Sequence, residues 1–270
     1  MCELLAMSAR HPTLLDTSLG LFQPRGGAVG PHADGWGVAF YEDWAPLVVK
    51  EPAPAHASPL LRFIQGYGHR SRIALSQIRQ ANPAAHGRRL ANTHPFKREL
   101  GGRCWVFAHN GKIPGIERYQ PQGFQPLGET DSERAFCLLL DELARGRASP
   151  TAVGVGERAE RLRPLINALN PGSELNFLLS DGEALIVHAH TRMHLLERTC
   201  QEGGCHQRVV LVATQPLSEE PWVELQPNTL LVLREGERAV EMHTEGEATW
   251  FSTRTDPENT QREEQVSPCE

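Results

Sequence analysis

The sequence predicts an α+β protein in which largely antiparallel sheets are covered by helices. Three observations predict it. Short apolar runs of strand length come first, a helical stretch follows, and a second set of apolar runs closes the pattern. Asp181-Gly182 separates two of the later runs, and that pair favours a tight hairpin. No linker-like change of composition divides the 270 residues before a polar end rich in Glu, Thr, Gln and Pro. Residues 2–250 therefore read as one domain and residues 251–270 as a flexible tail.

The elements follow in order. After a Gly-rich stretch from Gly26 to Gly37, Trp36 to Tyr41 reads as a strand and Leu47 to Lys50 as its neighbour. Ser58 to Tyr67 has helical spacing at Leu60, Leu61 and Ile64, with Ser58 as N-cap and Gly66 and Gly68 as stop signals. Ile73, Leu75 and Ile78 form a strand ending at Arg79, before a polar loop with Asn82-Pro83, Gly87 and His94-Pro95. Trp105 to Ala108 is a strand that ends in His109-Asn110-Gly111. Thr130-Asp131-Ser132-Glu133 fits a capping box, and Ala135, Phe136, Leu139, Leu140 and Leu143 share one helical face that ends at Arg145-Gly146. A second helix is expected over 151–169, with Pro164 as a kink or early stop. Strands are expected at Leu175 to Leu179, Ala184 to His188, Val209 to Ala213, Thr229 to Leu233 and Arg238 to His243.

Composition narrows the function classes. The chain is 40% hydrophobic and 22% charged, ordinary for a globular protein with a sizeable core. A net charge of −6 argues against a general nucleic-acid binder. Arg158 to Arg163 is interleaved with acidic residues and reads as a solvated face. No apolar run approaches the ~20 residues that cross a bilayer, and Met1 to Arg10 lacks the pattern of a secretory signal. Six irregularly spaced cysteines suit a reducing cytoplasm. Cys200 and Cys205-His206 lack the remaining ligands of a zinc site and read as a loop with incidental thiols. His86, His94 and His109 form no metal spacing and read as satisfied or exposed histidines. His32 to Gly37 is not a phosphate-binding glycine pattern.

Several residues could carry chemistry, and each has a plainer reading. Removal of Met1 would leave Cys2 first in the chain, joining a thiol to an α-amine whose reference pKa of roughly 7.7–8.0 suits a general base. The plainer reading is a small apolar residue opening the first strand. Asn110-Gly111 is either a hairpin turn or an oxyanion hole built from a side-chain amide and a backbone N–H. Arg79 is either an exposed strand-end residue or a fork for a substrate carboxylate. Asp131 is either helix-start chemistry or the partner of a substrate ammonium.

Taken together, these residues resemble a known family. Cys2, the stretch ending His32-Ala33-Asp34-Gly35-Trp36-Gly37, the strand ending in Arg79, His109-Asn110-Gly111 and Gly128 to Glu133 occur in the order found in the glutaminase domain of class II glutamine amidotransferases. Met1 to Leu5, Ile78 to Asn82, Thr93-His94-Pro95-Phe96 and Ala213 to Leu217 are similar to its YafJ-like stand-alone branch. The resemblance covers about residues 2–245. It implies the N-terminal-nucleophile hydrolase fold, a four-layer αββα sandwich. It also implies that the Cys2 thiol attacks the side-chain amide of glutamine, that Asn110 and Gly111 hold the oxyanion, and that Arg79 and Asp131 bind the substrate α-carboxylate and α-ammonium. It implies no metal and no organic cofactor.

The synthase members of that family carry a second domain that consumes the ammonia, whereas this chain ends after about 250 ordered-looking residues. The expectation is either a separate ammonia-accepting partner protein or a different γ-glutamyl amide, such as a peptide or conjugate, as substrate. A non-catalytic regulatory subunit of the same fold is the reading from another class. The composition is compatible with a homodimer.

Overall fold

The computed structural model describes residues 2–81, 88–145, 149–202, 205–245 and 248–250. The expected turn at Asn82-Pro83 and Gly87, the helix stop at Gly146, His86 and the tail of 251–270 lie outside the described residues. The chain begins β1 (Glu3–Leu14), α1 (Asp16–Phe22), β2 (Gly35–Glu42), β3 (Ala45–Glu51), α2 (Pro59–Tyr67) and β4 (Arg70–Arg79). It continues through β5 (Phe96–Leu100), β6 (Arg103–Asn110), α3 (Asp131–Ala144) and α4 (Val155–Leu169). It closes with β7 (Asn176–Ser180), β8 (Leu185–Ala189), β9 (His194–Glu202), β10 (Cys205–Ala213), β11 (Val223–Glu224), β12 (Thr229–Arg234), β13 (Glu237–His243) and β14 (Ala248–Trp250).

Two sheets result, ordered β11-β9-β10-β1-β4-β2-β3 and β14-β13-β12-β8-β7-β6-β5. The strand pairings are antiparallel. Strand side chains alternate between faces, so each central strand feeds two cores. Leu4 and Ala6 of β1, Leu75 of β4, Val106 and Ala108 of β6 and Leu178 of β7 meet between the sheets. The alternate residues Leu5 and Met7 face away from that layer and pack with Leu19 and Phe22 of α1 and Leu61 and Ile64 of α2. On the other side, Trp105, Phe107 and Phe177 pack under Phe136, Leu139 and Leu140 of α3 and Leu162 and Ile166 of α4. The order of layers is thus helices, sheet, sheet, helices, the expected αββα sandwich. Burial on both faces explains why these strands read as continuous apolar runs rather than alternating ones.

Most expected elements stand within a few residues of their predicted limits. Ser58 caps α2 by accepting from the Leu61 N–H at 3.0 Å, and Gly68 ends it in the left-handed region at φ 68°. Gly66, expected as a stop, lies inside that helix. Thr130 caps α3 through the Glu133 N–H at 3.1 Å. The Glu133 carboxylate does not complete a capping box: it accepts from the Gly128 N–H at 2.6 Å and pairs with Arg98 at 2.6 Å. α4 begins at Val155 rather than 151, because Pro150–Ala152 forms a separate tight turn. Pro164 does not stop α4, since it sits on the exposed side, where water can meet the carbonyl it frees.

Two further expectations fail here. Arg158 does not lie on a solvated face. It is 2% exposed and its guanidinium pairs with Asp181 at 2.7 Å and Glu183 at 2.7 Å, while bonding the carbonyls of Pro150 and Val153. Cys200 and Cys205-His206 are not in a loop but on the facing strands β9 and β10, where Cys205 lies opposite Glu202. β9 itself has no counterpart among the expected strands, because its charged residues Glu197 and Arg198 break the apolar run that would signal it.

Candidate active site

The same alternation that builds the inter-sheet core places polar groups at one end of it. Cys2 stands two residues before Leu4, Arg79 four after Leu75, Asn110 two after Ala108 and Asn176 two before Leu178. Pairing Glu3 with Ile78 and Asn110 with Asn176 brings these four ends together. The Asn110 side-chain amide donates to the Cys2 carbonyl, which joins one sheet to the other. A cavity of about 880 Å³ opens beside them, lined by Cys2, Arg79, Gly111 and Asp131 among others. Asn110 is fully buried behind this lining.

Cys2 is half-buried, and its sulfur accepts from the Gln80 N–H at 3.4 Å. Burial pushes the thiol pKa up, while that N–H and the Arg79 guanidinium pull it down less strongly. The thiol is therefore protonated near neutrality and needs a base to become a nucleophile. Arg79 is 4% exposed; burial lowers its pKa and the charges of Cys2 and Asp34 oppose that. Asp34, from the Gly-rich stretch, shapes the chain around Arg79. Its N–H donates to the Arg79 carbonyl at 3.1 Å, and its carboxylate accepts from the Ala81 N–H at 2.9 Å and pairs with Arg88 at 3.3 Å. Arg79 is thus a buried residue at the cavity, not an exposed strand end.

Asn110-Gly111 is not a hairpin turn, since the chain leaves β6 there toward α3. Gly111 has φ 137°, and a Cβ at that position would lie 1.8 Å from the Glu174 carbonyl oxygen. No other residue fits without moving the backbone. Asp131, the first residue of α3, binds the segment after Gly111: one carboxylate oxygen accepts from the Ile113 N–H at 2.9 Å and the other from the Ser132 N–H at 2.8 Å. The helix-start reading of Asp131 and its position in the cavity wall are both met.

Two histidines flank the site. His109 is satisfied, with Nδ1 2.9 Å from Ser132 Oγ and Nε2 3.0 Å from the Glu174 carbonyl, and burial lowers its pKa. His94 is neither satisfied nor exposed, contrary to expectation. It is 2% exposed, lines the cavity, and neither ring nitrogen has a hydrogen-bond partner among the described residues. Its backbone is strapped by Lys50, whose Nζ donates to the carbonyls of Thr93 at 2.7 Å and Pro95 at 3.4 Å. Burial, with smaller contributions from His109, Lys50 and Arg79, holds the His94 pKa well below its ordinary value, so the imidazole is neutral. The Lys50 ammonium is itself lowered to about 8, mainly by burial. Gly37 makes room for this strap, because a Cβ there would meet the His94 carbonyl at 2.2 Å. Only the Thr93-His94-Pro95-Phe96 string hinted at this residue in the sequence. Asn176, which bonds Asn110, and Arg192, which reaches the Cys2 carbonyl, carried no signal, and Glu3 only that of the Met1 to Leu5 string. Among the described residues, no group of three or more His, Cys, Asp or Glu side chains is placed to hold a metal ion. No helix of the described residues is long and apolar enough to cross a membrane.

Comparison with known proteins bears on this arrangement. The family model of class II glutamine amidotransferases matches residues 1–203. The chain is 37% identical to YafJ of Escherichia coli strain K12 over 258 residues, covering 89% of this chain and 100% of that protein. The 2.0 Å crystal structure of a predicted glutamine amidotransferase from Pseudomonas aeruginosa PA01 superposes with a TM-score of 0.67 at 32% identity, over 88% of this chain and 99% of that one. Glutamine phosphoribosylpyrophosphate amidotransferase from Bacillus subtilis shares the fold, with a TM-score of 0.63 at 14% identity over 93% of this chain and 50% of its own. With the family model and YafJ both spanning most of the sequence, the chain belongs to the class II glutamine amidotransferase family.

Proposed function

We propose that the protein hydrolyses the side-chain amide of glutamine, or of a γ-glutamyl compound, with Cys2 as nucleophile once Met1 is removed. The observation that carries this reading is the convergence of Cys2, the buried Arg79, Asp131 and Gly111 on one cavity. The raised pKa of the thiol calls for a base, and the α-amine of the processed Cys2 is in the same residue. The amine takes the thiol proton, and sulfur bonds to the γ-carbonyl carbon. The resulting oxyanion is held by the Gly111 N–H and by the second N–H of the Asn110 amide, whose first is on the Cys2 carbonyl. The C–N bond breaks as the departing nitrogen takes the proton, releasing ammonia or an amine. Water then cleaves the γ-glutamyl thioester to glutamate and restores the thiol. Arg79 pairs with the substrate α-carboxylate and Asp131 with its α-ammonium; the lone pairs that Asp131 does not use on backbone N–H groups serve that contact.

The size of the cavity favours a second reading of the leaving group. About 880 Å³ lies near the top of the ~300–1,000 Å³ range of pockets for drug-sized ligands, more than a free amino acid fills. A γ-glutamyl peptide or conjugate would use that space, and so would the passage of ammonia to an acceptor protein. The test is glutamate release from a panel of glutamine and γ-glutamyl amides by processed wild type and by Cys2→Ala. Activity on at least one substrate, falling by a factor of about 10⁴ or more in the variant, is expected. Equal activity of the two proteins would overturn the assignment.

A further inference from the structure

Asn176 opens β7, directly opposite Asn110, and is fully buried. Its side-chain amide is used on both sides. Nδ2 donates to Asn110 Oδ1 at 3.2 Å and to Thr191 Oγ1 at 2.8 Å. Oδ1 accepts from three successive backbone N–H groups, those of His190 at 3.0 Å, Thr191 at 2.9 Å and Arg192 at 3.3 Å. A primary amide offers donors at one end and acceptors at the other. Turned over, this one would aim its NH₂ at three donors and its oxygen at the Asn110 oxygen. The surroundings therefore allow one orientation only.

That orientation passes to Asn110. Because Asn110 Oδ1 accepts from Asn176, its Nδ2 must point the other way, where it donates to the Cys2 carbonyl. The three N–H groups gathered on Asn176 Oδ1 also shape the turn after β8. They carry the Arg192 guanidinium to 3.5 Å from the same Cys2 carbonyl and 3.7 Å from Glu3. Glu3 is buried and held by Thr214 Oγ1, with Arg25 and His32 at 3.7 and 3.9 Å. Two donors thus converge on one carbonyl, that of the nucleophile's own residue, and both are set by one side chain.

We propose that Asn176 is a positioning residue: it fixes the polarity of the Asn110 amide and the placement of Arg192, and through them the aim of the Cys2 thiol and amine. This rests on the reading of Cys2 as nucleophile. It differs from a merely structural role, which would affect stability and leave turnover of the folded protein unchanged.

Asn176→Asp separates the two. It keeps an oxygen for the three N–H groups but removes the donor to Asn110, which then turns its own NH₂ toward the new carboxylate and away from Cys2. The expected result is a kcat lower by about 10²–10³-fold, the size of losing one oxyanion donor, with KM changed less than about threefold. The diazo-ketone analogue of glutamine should label Cys2 more slowly by a similar factor. A kcat within about threefold of wild type, or a change confined to KM, overturns the proposal. Arg192→Gln tests the second arm in a partly exposed residue that folding tolerates better. It should lower kcat by about tenfold at unchanged KM, and an unaltered kcat would overturn that arm. If wild type neither turns over nor is labelled, the reading of Cys2 fails rather than this one. The Asn110 side-chain amide resonances, compared between wild type and Asn176→Asp, then decide: a marked shift supports the proposal and identical resonances overturn it.

Discussion

β6 and β7 lie side by side and carry a buried polar cluster at each end, and the two clusters are built on opposite plans. At one end Arg103 and Arg158 face Asp181 and Glu183, with contacts of 2.6–2.7 Å. Burial alone would raise the Glu183 carboxyl, but the two guanidiniums hold it below the usual carboxylate range. The remaining Arg158 donors are spent on the carbonyls of Pro150 and Val153. Everything there is paired, and the cluster ties α4 to the β7–β8 hairpin. At the other end are Asn110, Asn176 and the cavity, whose lining residue His94 has no hydrogen-bond partner for either ring nitrogen among the described residues. Buried groups without partners cost stability. At the first end the charges are matched within the fold, whereas at the second the cavity wall keeps a buried imidazole without a partner among the described residues.

Substitutions at the two ends should have opposite effects on stability and turnover. Arg158→Ala should have the largest effect on the fold, about 3 kcal/mol, because it leaves the buried Asp181 carboxylate to Arg103 alone and frees the carbonyls of Pro150 and Val153. Denaturant unfolding measures it, and the folded fraction should keep its kcat. Arg79→Ala should do the reverse. Removing charge-assisted hydrogen bonds to a substrate carboxylate costs about 1.5–3 kcal/mol, a KM roughly 10–150-fold higher, with a smaller loss of stability than Arg158→Ala. If Arg79→Ala unfolded the protein while Arg158→Ala only slowed it, the contrast between the two ends would be reversed.

Acid should act on the open end and its neighbours first. Burial lowers the pKa of His94, His109 and His188, the last to about 3. Between those values and the ordinary 6.5, the unfolded chain binds more protons than the native one, so stability falls as pH drops below about 6.5. Each fully buried histidine contributes about 1.4 kcal/mol per pH unit until its native pKa is reached. Unfolding free energies between pH 7 and 5 should show this slope, and His94→Asn should reduce it by about one histidine's share. A flat profile over that range would remove the claim that these imidazoles are held neutral.

How much of this was legible follows from the geometry of strands. Strands β4, β6 and β7 could be read because they are buried on both faces and so stand out as apolar runs, whereas the four-layer order was implied only by the family resemblance. Cys2, Arg79, Asn110, Gly111 and Asp131 were legible because each ends or begins such a run, or starts a capped helix, and together they resemble a family. Asn176 was not legible: it is an unremarkable polar residue at a strand start, and its meaning lies in register with Asn110, which is 66 positions away. His94 was misread because a lone histidine in a polar loop gives no sign of burial. Arg158 was misread because Glu157 and Glu160 suggested a solvated helix, while its real partners, Asp181 and Glu183, lie beyond the next turn of the fold. Local pattern locates the ends of elements, and long-range pairing decides what those ends do.

The most direct test of the central claim is the intact mass of the purified protein before and after exposure to a diazo-ketone analogue of glutamine. The account predicts loss of Met1 and a single adduct that maps to Cys2. A processed protein that stays unmodified, or an adduct on Cys104 or Cys137 instead, would contradict it.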